Sequence, residues 1–323
     1  MAALNGLSRT RQALLSVAQP GLGAVLAVGG LPSLRVVVVG AIAAAAGSVA
    51  VFALNDVLDR RSDAAALRAS TGDAALEHDA AFDHDAALDH DVTLDHDVAV
   101  DHDVAVDRRT VVASHPLARG DLSLRLALLW VVSFAVLAAV LAYTLAPVCL
   151  LLFGAIVALE AVYCALRTVT PWKTVVPGVM VGLGGVAGWA AAAPLAWRAL
   201  GVFGFLALWQ IGGRGFASTL ADVESDRSAG ARTVATVYGP AVAARAACGV
   251  GFATLASIVT LPMPGGLLSD LALVAGVFVV AWPGAKLWYS PTSDEAASYL
   301  EWAGLYPAVV LLVALLPTLL GVL

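Results

Sequence analysis

The sequence predicts an all-α, polytopic membrane protein with nine transmembrane helices. Three observations lead there. Of 323 residues, 60% are hydrophobic and only 13% are charged, whereas soluble domains carry about 25% charged residues. The mean hydropathy is +0.87. Apolar runs of roughly 20 residues recur along the chain, which is the length an α-helix needs to cross a bilayer while satisfying its own backbone hydrogen bonds.

The runs fall at about 11–31, 34–55, 121–144, 147–168, 174–194, 198–220, 238–262, 267–288 and 299–323. Arg9 and Arg11 precede the first run and no small-residue cleavage site follows it, so it reads as a span rather than a removed signal peptide. The second run ends in the polar segment that begins at Asn55. The third to sixth and the ninth are unambiguous. Pro262, Pro264, Gly265 and Gly266 mark the turn between the seventh and eighth. Cys149, Cys164 and Cys248 all lie in apolar segments, so neither a disulfide framework nor a zinc spacing is indicated.

With nine spans, the even-numbered connections share a side with the N-terminus. That side carries 15 of the 18 Lys and Arg residues, leaving Arg35, Arg198 and Lys286 for the other. The cytoplasmic side carries the Lys/Arg excess, so the N-terminus is expected inside, the C-terminus outside, and the protein in the cell membrane. The net charge of −6 is concentrated: 15 of the 24 carboxylates fall between Asp56 and Asp107. The remainder is basic, which suits contact with anionic lipid headgroups. No nucleic-acid partner is expected.

Two acidic clusters sit at the ends of apolar runs: Asn55-Asp56-Val57-Leu58-Asp59-Arg60-Arg61-Ser62-Asp63, and Asp222-Val223-Glu224-Ser225-Asp226. Carboxylates beside a bilayer-length apolar run are costly, which makes them functional candidates. Asp56, Asp59 and Asp63 recur at i, i+3 and i+7, and Asp222 and Asp226 at i, i+4, so each set shares one helix face. Facing acidic clusters hold Mg²⁺ against a phosphate-bearing substrate, because that ion takes oxygen ligands from carboxylates and phosphates together. Both clusters follow even-numbered spans and are expected on the cytoplasmic face.

The first cluster matches the NDxxDxxxD motif of the UbiA superfamily of intramembrane prenyltransferases. Asp222-x-x-x-Asp226 followed by Arg227-Ser228-Ala229-Gly230-Ala231-Arg232-Thr233 resembles that family's second aspartate motif and its tail, and His115-Pro116-Leu117-Ala118-Arg119-Gly120 resembles its RPLxxG segment. Tyr163-Cys164-Ala165-Leu166-Arg167 stands where the family often has YxxxK, with arginine supplying the cation. The resemblance covers almost the whole chain except residues 64–110. It implies nine helices around a central cavity open to the cytoplasm. It also implies transfer of a prenyl group from a long-chain isoprenyl diphosphate to an aromatic or lipid acceptor, with release of diphosphate. Asp56, Asp59, Asp63, Asp222 and Asp226 would be the Mg²⁺-binding catalytic groups. Asn55, Arg119, Tyr163, Arg167, Lys173 and Arg232 would bind substrate. Arg167 and Lys173 read equally well as cytoplasmic topology anchors, and Tyr163 as an interfacial aromatic.

The chain departs from the family at several positions. Archaeal digeranylgeranylglyceryl phosphate synthases precede the second motif with further acids and a lysine, where this chain has Ser218, Thr219 and Ala221. His115 replaces the usual arginine, and Gln19-Pro20 stands at a common Arg-Pro pair. These departures weigh against that lipid-synthesis role and leave prenyl transfer intact. A transporter would also carry intramembrane polar groups, but nearer the bilayer centre than these helix-end carboxylates. A catalytically silent relative would keep the aspartates and lose their flanks.

Residues 1–323 read as one domain with an insert at 64–110. Five tandem hexads, each beginning with His and ending with Asp, fill residues 78–107. His and Asp together can ligate transition metals. A period of six does not align the histidines on a helix, and the dense negative charge favours a solvated, disordered loop.

Overall fold

A computed structural model of the chain describes residues 16–85, 117, 120–228, 230–263 and 265–321. Among the described residues every regular element is helical, as the composition predicts. In chain order these are α1 (Ala18–Val28), α2 (Leu34–Asp85), α3 (Leu124–Leu145), α4 (Pro147–Ala165) and α5 (Val175–Ala192), the last entered through a 3₁₀ turn at Pro171–Thr174. A longer rod follows: α6 (Ala199–Leu208), a π-helix at Trp209–Phe216, and α7 (Ala217–Ala221). Two short helices, α8 (Val223–Ser228) and α9 (Val234–Tyr238), lead to α10 (Pro240–Ser257). The chain ends with α11 (Gly266–Gly276), a π-turn at Val277–Ala281, α12 (Trp282–Tyr289), α13 (Ser293–Gly304) and α14 (Tyr306–Leu319).

Seven described stretches are long and apolar enough to cross a membrane: Leu34–Arg60, Leu124–Leu145, Pro147–Ala165, Pro171–Ala192, Pro240–Thr260, Gly266–Tyr289 and Ser293–Leu319. The nine-run reading differs at two places. In the first run, α1 is described for only 11 residues. In the sixth, the rod is divided by an 8-residue π-helix that carries Arg214. The turn between the seventh and eighth runs lies where the Pro/Gly cluster predicts, with Gly265 at a φ of 104° that other residues rarely adopt.

Helix α2 departs from expectation at its far end. Instead of stopping near Asn55 it continues as backbone helix to Asp85, 52 residues in all. The stretch beyond Arg61 is rich in Ala, a strong helix former, and propensity prevails over the negative charge of the first hexad. Residues 86–107, the rest of the repeat, lie outside the described residues.

Backbone-to-backbone packing holds α1 against α5. A Cβ on Gly23 would overlap the Gly185 carbonyl, and one on Gly188 would overlap the Pro20 carbonyl. Small residues allow this approach where lipid offers no hydrophobic drive for helix association. The main core runs from Leu22, Val25 and Leu26 of α1 through Trp189, Phe205 and Leu206 to Tyr299, Tyr306 and Val310. Two buried polar tips are satisfied across it: Trp209 Nε1 donates to the Ala303 carbonyl (2.7 Å), and the Tyr306 hydroxyl to the Ala272 carbonyl (3.1 Å). A smaller cluster of Ala53, Val57, Leu122, Ala127 and Val131 joins α2 to α3, just below the first acidic motif. The outer face of α3 exposes Leu129, Val132, Val136 and Val140, as a lipid-facing surface does.

Candidate active site

The first motif lies along one face of α2, where Val57 anchors the helix in the smaller core and Asp56 is 2% exposed. Asp59, one turn on, forms an ion pair with Arg167 at 2.9 Å. Asn55 donates its amide Nδ2 to Glu160 Oε1 (2.8 Å) and to Cys164 Sγ (3.4 Å) on α4. The side chains of Asp63 and the whole of Arg119 fall outside the described residues.

The second motif spans the junction of α7 and α8. The Asp226 N–H donates to the Asp222 carbonyl at 2.8 Å, so the two carboxylates are one turn apart, as their spacing predicts. Thr233 caps α9 in a capping box with Thr236. Burial pushes the Asp226 carboxyl above its ordinary value, and the Lys173 ammonium, the Arg167 guanidinium and the Thr233 hydroxyl pull it back.

Arg167 joins the two motifs. It lies just past the end of α4, before Pro171 redirects the chain into α5. Its side chain pairs with Asp59, while its carbonyl accepts the Arg232 N–H at 3.3 Å. Lys173, buried at 7% exposure, sits 5.8 Å from the centre of the Tyr163 ring, within cation–π range. Its ammonium lies in electrostatic reach of Asp226, Arg167 and Asp59.

Tyr163, Lys173, Asp222 and Asp226 line one cavity of about 180 Å³, together with Thr174, Pro177, Gln210, Gly215, Ser218, Thr219 and Thr233. The π-helix shapes this wall. π-segments recur at functional sites because the extra residue per turn re-aims side chains. Here the segment brings Gln210 to the cavity, and Gly215 presses on Thr174 with no room for a Cβ. The Ser218 and Thr219 hydroxyls donate to carbonyls three residues back, Gly215 (2.9 Å) and Phe216 (2.8 Å). That leaves their lone pairs for the cavity. The cavity wall thus sets the Asp222 and Asp226 carboxylates beside a cation, hydroxyls and an amide.

Of the sequence-predicted residues, the structure brings together Tyr163, Lys173, Asp222 and Asp226 in the cavity, with Asp59 and Arg167 in electrostatic reach, Asn55 bonded to α4, and Asp56 buried on α2. Arg232 is exposed and absent from the lining, touching the site only through its backbone. Sequence reasoning overlooked Glu160, a carboxylate only 5% exposed within an apolar span. Its rarity in such a run was the available signal. Gln210 was overlooked too, because nothing in its neighbourhood announces a π-helix.

The family model described as the UbiA prenyltransferase family matches residues 95–306. The chain belongs to the UbiA prenyltransferase family. Solved UbiA homologues share the fold. A homologue from Aeropyrum pernix K1, in its apo form, superposes with a TM-score of 0.68 at 18% identity, over 98% of this chain and 99% of that one. A structure of digeranylgeranylglyceryl phosphate synthase gives 0.61 at 16%, over 97% and 96%. A UbiA homologue from Archaeoglobus fulgidus bound to GPP and Mg²⁺ gives 0.61 at 16%, over 97% and 99%. No curated protein matches the chain.

Among the described residues no three His, Cys, Asp or Glu side chains gather closely enough to hold a metal by themselves. Mg²⁺ at a diphosphate does not need such a cage. It keeps several waters and takes one or two carboxylates plus phosphate oxygens. Asp56 and Asp59 on one side, and Asp222 and Asp226 on the other, are a donor set that fits this use.

Proposed function

We propose that this UbiA-family protein transfers a prenyl group from a long-chain isoprenyl diphosphate to an aromatic or lipid acceptor, releasing diphosphate in a Mg²⁺-dependent reaction. The observation that carries this reading is the placement of Arg167 and Lys173 between the two aspartate motifs. One cation pairs with Asp59 and the other lies in reach of Asp226, so a polyanion entering there meets both. Asp56, Asp59 and Asp63 would hold cations from one side, Asp222 and Asp226 from the other. Mg²⁺ held there would supply positive charge to offset the negative charge developing on the diphosphate leaving group.

The chain's own residues account for the rest. Arg167 offers a planar fork of donors to phosphate oxygens. Lys173, buried against Tyr163, adds a fixed positive charge on the leaving-group side. The Tyr163 ring face presents electron density to a developing allylic cation. Asn55 and Arg119 would complete the first-motif side, with the exposed Arg232 meeting the diphosphate from the second. The prenyl tail lies among the apolar helices, and the 15-to-3 division of Lys and Arg supports a cytoplasmic site with the N-terminus inside. The insert at 64–110 lengthens the connection within this single domain.

The test uses membranes containing the full chain, geranylgeranyl diphosphate and Mg²⁺, with diphosphate release as the readout across a panel of lipid and aromatic acceptors. Release that Asp59→Asn or Asp222→Asn abolishes supports prenyl transfer. Silence with every acceptor, alongside unimpaired Mg²⁺-dependent donor binding, points to a non-catalytic relative.

A further inference from the structure

Asn55 meets α4 through a closed set of three hydrogen bonds. Its Nδ2 donates to Glu160 Oε1 at 2.8 Å and to Cys164 Sγ at 3.4 Å, and the Cys164 thiol donates to the same Glu160 oxygen at 3.7 Å. An amide nitrogen has two hydrogens to give, and both are committed here. Glu160 Oε1 and Cys164 Sγ both take the NH₂ end, which leaves Oδ1 as the free end of the amide. Glu160 is 5% exposed and rises from an apolar span, where a carboxylate is retained at a substantial desolvation cost. The packing need not require it, since an apolar side chain of similar volume would serve there at lower cost.

We propose that Glu160 is a positioning residue for the cation site: it locks the Asn55 amide so that Oδ1 alone remains to meet a ligand. This rests on the diphosphate reading above and adds a residue to it. Asn55 then cannot donate to a phosphate oxygen. It contributes an oxygen beside Asp56 and Asp59, the ligand type that Mg²⁺ takes. Partners of this kind, which orient a ligand without touching the metal, alter metal affinity by roughly 10–100-fold when removed.

The experiment measures binding of radiolabelled geranylgeranyl diphosphate to the purified full chain in lipid nanodiscs as Mg²⁺ is titrated, with thermal stability recorded in parallel. E160L is expected to raise the Mg²⁺ concentration at half-binding about tenfold, because the amide is released to rotate. E160Q keeps an acceptor oxygen for Asn55 and should stay within about threefold of wild type. N55A should resemble E160L, and N55A/E160L should be no worse than N55A alone, since Glu160 acts through Asn55. N55D sets two carboxylates against each other and should impair binding. N55D/E160Q exchanges donor and acceptor and should restore it, which keeps the idea testable if E160L fails to fold. Unchanged Mg²⁺ dependence in E160L, additive losses in N55A/E160L, or no rescue by the exchanged pair would overturn the proposal. Wild-type protein that binds the diphosphate with no Mg²⁺ dependence would overturn the diphosphate reading itself. Mg²⁺-dependent binding that E160L leaves intact overturns only the role of Glu160.

Discussion

Replacing Arg167 with Met should move two affinities in opposite directions. The Arg167–Asp59 pair is 2.9 Å long, with side chains 26% and 13% exposed, so solvent screens it only partly. A charge-assisted hydrogen bond of this kind contributes about 1.5–3 kcal/mol, or roughly one to two orders of magnitude in an equilibrium constant. In the ligand-free protein the guanidinium competes with any divalent cation for the Asp59 oxygen. R167M removes that competitor, and cation affinity at the first motif should rise by up to about tenfold, the smaller end being expected because Arg167 has contacts besides this one. On the proposed function, cation binding would release the same guanidinium to the diphosphate, so its loss should weaken diphosphate binding by roughly 10–100-fold. R167K keeps the charge without the fork and should fall between. Mn²⁺ titration followed by electron paramagnetic resonance reads the first affinity. Binding of labelled geranylgeranyl diphosphate at saturating Mg²⁺ reads the second. Cation affinity that stays constant or falls in R167M would refute the view that Arg167 exchanges partners.

Thr233→Val removes one of the influences that hold the Asp226 carboxyl down, leaving burial to push it higher. Cation binding requires the ionised form, so Mg²⁺-dependent diphosphate binding should fall as pH drops through this raised value, with the midpoint of T233V at higher pH than wild type. In metal-free protein the sign reverses: a raised folded-state carboxyl favours folding below that value, and the melting temperature should decrease as pH rises through it. Trp209→Phe strands the buried Ala303 carbonyl now bonded at 2.7 Å; a loss of about 1–3 kcal/mol should appear as a lower melting temperature with diphosphate affinity retained. Gly188→Ala drives a methyl group into the Pro20 carbonyl, beyond the 1–3 kcal/mol that side-chain overpacking typically costs, and should abolish the monodisperse peak in fluorescence-detected size-exclusion chromatography.

What sequence reveals here follows from what periodicity encodes. Apolar runs located the helices because lipid imposes length and composition on every span. The i, i+3 and i+4 spacings located the aspartates because one helix face is a local property. Contacts between distant segments are not local. Arg167 and Lys173 read as topology anchors or substrate ligands with equal ease until the fold set one on Asp59, 108 positions away in sequence, and the other in the cavity. Glu160 stood alone in an apolar run, but its partner Asn55 is 105 positions distant. The π-helix at Trp209–Phe216 has no periodic mark, since three glycines make its hydrophobic pattern uninformative. The continuation of α2 to Asp85 was masked for another reason: charge density argued for a coil, and alanine content decided otherwise.

The chain is fastened at residue 167 by two different kinds of tie. One runs through a side chain and can be erased by a codon change; the other runs through a peptide carbonyl and is the same for every amino acid. A drifting sequence can therefore retune the charge at this crossing, Arg to Lys or to a neutral residue, while the backbone tie to residue 232 persists. Substitutions there isolate electrostatics from architecture, a separation few positions in a membrane protein permit.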